Sequence, residues 1–277
     1  MKRRDAMLHL GLGMGLAGVM KMATAETVEK TKDPAPTASV AGSFDKDRTI
    51  RIAMVIFPKM TQLDFTGPFE VFSHLPGAEV AVVAESLTLV KSDEGLQIMP
   101  THSFDTFASA DVLFVPGGPG QSDQMTNPAM LAYLRKIGQE SAYVTSVCTG
   151  SLLLAAAGLL EGYRATCHWM WMDQLSLFDI QPVHERVVID RNRITGGGIT
   201  SGLDFGLVVA AELRGDGFAK MLELVMEYNP HPPFHTGTPE LAGPAMAQKA
   251  REFARPLLTP SIAQSRIAAN RLKELRN

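Results

Sequence analysis

Tyr143-Val144-Thr145-Ser146-Val147-Cys148-Thr149-Gly150-Ser151 is an apolar run that ends in a cysteine and passes at once into a helix-forming stretch. Ser151 to Leu160, rich in alanine and leucine, predicts a helix that stops near Gly162. A side chain at such a strand-to-helix turn projects over the carboxyl edge of a parallel sheet, where the sites of open α/β folds lie. Helix amides at that point favour a thiolate. The bland alternative is a buried cysteine acting as a small hydrophobe, the usual role of a lone cysteine on a strand. Thr149-Gly150 directly after it favours the reactive reading.

Working outward, Ile50 to Phe57 is a short apolar run bounded by Pro58, as expected of a strand buried on both faces. Val80 to Ala84, Val112 to Val115 and Glu185 to Ile189 read the same way. Between them lie helical patterns: one from about Gly67 with Pro68 near its start, Met130 to Ile137, Ser201 to Leu213, and Phe218 to Tyr228, whose Phe218, Met221, Leu222 and Val225 recur at helical spacing. Leu87 to Met99 reads as a small hairpin excursion. Strands alternating with helices predict an α/β fold with a mostly parallel central sheet covered on both faces. Residues 49–238 form this α/β domain, and 239–277 a C-terminal extension with two helical stretches.

Two further motifs fall at predicted strand ends. Val115-Pro116-Gly117-Gly118-Pro119-Gly120 exposes backbone amides after a core strand. If the Gly118 and Thr149 N–H groups point to one spot, they form a hole for developing negative charge; taken alone the motif is only a turn. Gln62-Leu63-Asp64-Phe65-Thr66-Gly67-Pro68 places an acid between the first strand and its helix. Asp64 reads equally as a helix cap or as the acid/base partner of the thiol, since three neighbouring strand ends would gather Asp64, Gly118 and Cys148.

With Gly162-Tyr163-Arg164-Ala165-Thr166-Cys167-His168-Trp169 and Thr195-Gly196-Gly197-Gly198-Ile199-Thr200-Ser201-Gly202-Leu203-Asp204-Phe205 added in this order, the chain from about Ile50 to Phe234 resembles the isonitrile hydratases of the PfpI/ThiJ class I glutamine amidotransferase-like superfamily. The resemblance implies a flavodoxin-like three-layer sandwich, a homodimer, and hydration of a small isonitrile to an N-substituted formamide through a thioimidate, without cofactor or metal. It implies Cys148 as nucleophile, Asp64 as acid/base, Thr149 as the flanking site residue and Gly118 as an amide donor, with Gly117 and His168 in support. Proteases and glutaminases of the superfamily place histidine at or near the nucleophile, whereas Thr149 follows Cys148 here, which disfavours peptide hydrolysis. A histidine beside Trp169 is more often a packed, satisfied core residue, which leaves His168 a supporting role at most. Cys167 stands where these hydratases tend to have threonine.

A length of 277 residues with 45% hydrophobic content supports one large core, and two cysteines cannot staple it, so burial must hold the fold. A net charge of −3 offers no basic footprint for nucleic acid. The rival readings are a ligand-sensing domain of the kind that heads transcription regulators, a redox-responsive protein, and a hydrolase of another small electrophile. Arg3-Arg4, the apolar glycine-rich run Met7 to Met20, and Ala23-Thr24-Ala25 resemble a twin-arginine signal peptide over residues 1–25, followed by a flexible linker over 26–48. The run is too short for a stable membrane anchor. A periplasmic or exported protein is therefore expected, and a cytoplasmic one if the signal does not function. N-terminal sequencing of the exported protein should give a new end near residue 26, and an intact Met1 would reject the signal.

Overall fold

The computed structural model describes residues 48–275; the leader and nearly all of the linker lie outside the described residues. The chain opens on β1 (Ile50–Val55), whose residues are almost all buried, so it reads as one continuous apolar run. After it come α1 (Gln62–Ser73), β2 (Ala78–Ala84), and the short pair β3 (Val90–Lys91) and β4 (Gln97–Ile98), then β5 (His102–Ser103) and β6 (Val112–Val115). The antiparallel pairing of β3 with β4 is the expected hairpin. Next are α2 (Gln121–Gln124), α3 (Pro128–Glu140), β7 (Tyr143–Val147) and α4 (Gly150–Ala156). Asn127 caps α3 by accepting from the Ala129 and Met130 N–H groups, and Pro128 occupies the first turn, where no amide is needed.

Beyond α4 lie β8 (Arg164–Ala165), a 3-10 turn (Met172–Phe178), β9 (Gln181–Pro182), β10 (Val187–Asp190) and β11 (Arg193–Gly196). The helices α5 (Ser201–Arg214), α6 (Asp216–Val225), α7 (Pro239–Ala242) and α8 (Pro244–Glu274) complete the described chain. The main sheet has seven strands in the order β10-β11-β7-β6-β1-β2-β5. Every pairing in it is parallel except β10 with β11. Helices α1, α5 and α6 pack together on one face, and α2, α3, α4 and α8 on the other. This is a flavodoxin-like three-layer sandwich. The chain leaves β1 for β2 on one side and later returns to β6 on the other, so a crevice opens at the carboxyl ends of β1 and β6.

Several elements depart from the expectation, among them α4, which stops at Ala156 and not near Gly162. α1 starts at Gln62, not near Gly67, which leaves Pro68 inside the helix. The first turn forms because the Thr61 N–H donates to the Gly117 carbonyl at 2.9 Å, a tertiary bond that sequence spacing does not show. The strand expected from Glu185 begins at Val187 and turns back through Arg191, which is left-handed (φ 56°), into the unexpected β11. On α6 only Ala219 and Leu222 are buried, while Met221 and Val225, expected on its apolar face, are exposed.

The core between α1, α5 and the sheet is a ring cluster. Phe72 meets Phe114 and Phe205 edge-on, with centroids 5.9 and 6.2 Å away, and Phe114 lies 5.6 Å from Phe205. On the opposite face α8 docks along a polar seam. Ser261 and Ser265 hydroxyls both donate to Gln174 Oε1, at 3.0 and 2.7 Å, and Gln121 Nε2 donates to Ser261 at 2.8 Å. Phe205 is fully buried, so Phe205→Ala should cost about 3–5 kcal/mol, read as a lower urea midpoint with an intact far-ultraviolet spectrum in the native baseline.

Candidate active site

Cys148 sits between β7 and α4 with φ 56°, a left-handed conformation that non-glycine residues seldom adopt. Its N–H is held by the Gly196 and Gly197 carbonyls at 3.0 and 2.8 Å, which fix the turn from below. The next helix starts against the neighbouring strand: a Cβ on Gly150 would lie 2.2 Å from the Val115 carbonyl oxygen. A strained cysteine on a strand-to-helix turn is the geometry of a nucleophile elbow.

The loops after β1, β6 and β7 meet at this point. Asp64 lies in the first turn of α1, fully buried, and its Oδ2 accepts from the Gly117 N–H at 3.0 Å. The carboxylate therefore does not cap the helix end, which removes the capping alternative. The Cys148 thiol faces the same carboxyl, yet Oδ1 has no hydrogen bond of ordinary geometry. Thr149 stands beside them with its hydroxyl accepting from the Gly118 N–H at 2.9 Å. This corrects the expected amide hole: the Gly118 donor is taken by Thr149 and does not face open space. The Thr149 amide is the backbone group that favours the Cys148 thiolate.

Glycines permit the approach. A Cβ on Gly117 would lie 2.5 Å from the Thr149 nitrogen and 2.9 Å from Asp64 Oδ2, while Gly118, at φ 124°, has the Thr61 nitrogen 2.2 Å from where its Cβ would be. The β3–β4 hairpin braces the same loop: Asp93 accepts from the Thr61 hydroxyl at 2.7 Å, and the Asp93 N–H donates to the Met60 carbonyl at 2.9 Å. Sequence reasoning missed this brace, since nothing in Asp93-Glu94-Gly95 beyond turn chemistry announces it.

Burial dominates the electrostatics. It pushes Asp64 up to about 7; the Cys148 and Gly117 hydrogen bonds oppose the shift and the Asp93 charge adds to it. Burial also drives the Cys148 thiol well above its ordinary value, with the Asp64 and Cys167 charges acting in the same direction and only the Thr149 amide against them. The expected resting thiolate is thus corrected to a protonated thiol facing a carboxyl that titrates near neutrality. Cys148 is only 4% exposed. A reactant must reach it through a narrow opening.

His168 takes the packed reading. Burial lowers it to about 4, it meets Trp171 edge-on at 5.0 Å, and its Nδ1 accepts from the Met170 N–H at 3.3 Å. It lines, with Cys167 and Trp169, a cavity of about 490 Å³ that does not include Cys148 or Asp64 but adjoins the elbow through Gly197. The elbow holds the cysteine and the buried carboxyl, and the cavity lies next to it.

Fold and site together define a flavodoxin-like α/β protein with a cysteine elbow at its switch point. Residues 50–212 match the DJ-1/PfpI family model, and the chain belongs to that family. It is 46% identical to the isonitrile hydratase of Pseudomonas putida over 209 residues, covering 76% of this chain and 92% of the relative. The crystal structure of a ThiJ/PfpI family protein from Pseudomonas syringae matches with a TM-score of 0.76 at 44% identity, over 78% of this chain and 90% of that one. The HTH-type transcriptional regulator CdhR of Pseudomonas aeruginosa is 34% identical over 128 residues, 46% of this chain and 38% of the regulator.

Two outcomes follow from this geometry. Gly118→Ala forces the Met60–Thr61 backbone aside and should lower stability by about 1–3 kcal/mol or more, seen as a depressed melting temperature. Asp64 binds its proton more tightly folded than unfolded, so the stability this contributes is full below about 4 and is lost as pH rises through about 7. Asp64→Asn should therefore melt above the wild type at pH 8 and lose most of that advantage by pH 5, as measured by calorimetry at both pH values.

Proposed function

We propose that the protein hydrates isonitriles to N-substituted formamides, with Cys148 as nucleophile and Asp64 as the proton carrier. The observation that carries this reading is a buried carboxyl, poised near 7, that faces the thiol of a strained elbow cysteine. The 46% identity to an isonitrile hydratase supports the choice of substrate. So does the enclosure of the sulfur. The R–N≡C group is a narrow rod whose terminal carbon reaches a 4%-exposed cysteine where a peptide carbonyl with two substituents would not.

In the first half-reaction the Asp64 carboxylate takes the thiol proton as sulfur bonds to the terminal carbon. The proton then passes to that carbon, giving R–N=CH–S–Cys148 and restoring the carboxylate. The Thr149 N–H supports the charge that gathers on sulfur meanwhile. In the second half-reaction Asp64 removes a proton from water while the oxygen adds to the same carbon, and the proton is delivered to nitrogen. The adduct R–NH–CH(OH)–S–Cys148 expels the sulfur, which recovers a proton from the hydroxyl, and the formamide leaves. One isonitrile and one water give one formamide.

The same domain in a transcription regulator of 34% identity favours one other reading, ligand sensing without turnover. Turnover separates the two. Formamide release, followed by chromatography, should be abolished in Cys148→Ala and lowered about 10²–10⁴-fold in Asp64→Asn. Because the active form is the carboxylate, kcat/KM should fall about tenfold per pH unit below about 7. A Cys148→Ala protein that still turns over, or a wild type that binds isonitriles and never hydrates them, rejects the hydratase reading.

A further inference from the structure

Thr61 and Asp64 stand at the N-cap and the third position of α1, the spacing of a capping box, in which the hydroxyl accepts from the third amide while the acid accepts from the cap amide. Here the box is open on both sides. The Thr61 hydroxyl makes no cap bond and donates to Asp93 Oδ2 at 2.7 Å. The Thr61 N–H goes to the Gly117 carbonyl at 2.9 Å, and Asp64 Oδ2 accepts from the Gly117 N–H at 3.0 Å. The helix thus forgoes a local cap, and the acid released by this is the one that faces the Cys148 thiol.

The β3–β4 hairpin holds the box open. The Lys59 N–H donates to the Lys91 carbonyl and the Asp93 N–H to the Met60 carbonyl, both at 2.9 Å, and the Ser92 hydroxyl donates to Gln62 Oε1 at 2.8 Å. Asp93 is itself pinned, because its Oδ1 accepts from the Glu94 N–H at 2.9 Å. Its carboxylate therefore cannot drift from the Thr61 hydroxyl without breaking the turn. Asp93 also brings charge, which acts on Asp64 in the same sense as burial. The other groups around α1 do not offset it. Lys59, Glu70, Lys91 and Glu94 are exposed to solvent, and Asp204 of α5 is bound to Arg186. The loop Pro116 to Gly120 contributes no titratable side chain, and on the elbow side stand the thiols of Cys148 and Cys167.

We propose that Asp93 is a positioning residue for the reaction: it draws the Thr61 hydroxyl away from the helix end, which keeps the Asp64 carboxyl on the thiol, and its negative charge helps to keep a proton there. Without Asp93 the hydroxyl is free to accept from the Asp64 N–H, and the closing cap pulls the acid back toward its own helix. The proposal rests on the hydratase reading for what Asp64 does, but not for how Asp64 is held. Two experiments separate them. In the first, formamide release from benzyl isonitrile is followed across the pH range. Asp93→Ala and Thr61→Val should each lower kcat about 10–10²-fold with KM little changed, and the double variant should be no slower than either, since both break the same bond. Asp93→Asn keeps an acceptor for the hydroxyl but not the charge. It should recover most of kcat and move the acid limb of kcat/KM down by about half a pH unit, a shift that Thr61→Val should lack. Full kcat in both Asp93→Ala and Thr61→Val, additive losses in the double variant, or an unmoved acid limb in Asp93→Asn overturns the proposal. The second experiment reads the carboxyl without turnover. In protein carrying carbon-13 at its aspartate carboxyls, the resonance missing from Asp64→Asn belongs to Asp64, and its midpoint, near 7 in the wild type, should fall by about the same half unit in Asp93→Asn. A midpoint that moves in a protein that hydrates no isonitrile rejects the hydratase reading and leaves the hold of Asp93 on Asp64 standing. Turnover with an unmoved midpoint does the reverse.

Discussion

The structure is organised around a carboxyl group that water does not reach. Asp64 is fully buried, receives one backbone N–H, and shares its other side with a thiol. A charge there is costly, because one amide and a weak S–H donor cannot replace its hydration. The fold prefers the neutral acid and the proposed chemistry needs the anion. A value near 7 lies where both forms are populated at physiological pH, so the residue gives up some stability at that pH while keeping the anion that the proposed chemistry uses.

Holding that group in place requires three loops to approach more closely than side chains permit. Gly117, Gly118 and Gly150 each stand where a Cβ would overlap backbone of a neighbouring loop. The bonds that result, from Thr61 to Gly117, Gly117 to Asp64, Gly118 to Thr149 and Gly120 to Lys59, link the ends of β1, β6 and β7 into one unit. The β3–β4 hairpin reinforces it through Asp93. The left-handed turn at Cys148 persists because these contacts over-determine it.

Much of this was legible in the sequence. The apolar runs of Ile50–Phe57, Val112–Val115 and Tyr143–Val147 are nearly continuous because parallel strands are buried on both faces, and that pattern gives the sheet its strands and the site its edge. The start of α1 was not legible, since it is fixed by a bond to Gly117, 56 residues away in the chain (117 less 61). β11 was hidden because Arg193–Gly196 looks like the lead-in to a glycine turn. The site residues Cys148, Asp64, Gly117, Gly118 and Thr149 do converge, but the direction of each N–H is a tertiary property: Gly118 gives its proton to a hydroxyl, and nothing local in Pro116-Gly117-Gly118 says so. The protonated state of Cys148 was misjudged for a related reason. Local helix amides favour the anion, and burial from many sides outweighs them.

The long final helix has one more consequence. Cys148 and Asp64 sit on loops in earlier parts of the chain, whereas one face of the neighbouring cavity is contributed by Gly237 to Glu240 and Arg251. Changes in that late segment can redraw the outline of the chamber while leaving sulfur and carboxyl untouched. The outline of the cavity and the geometry of the elbow are thereby written in separate parts of the polypeptide, and the first can vary while the second stays fixed.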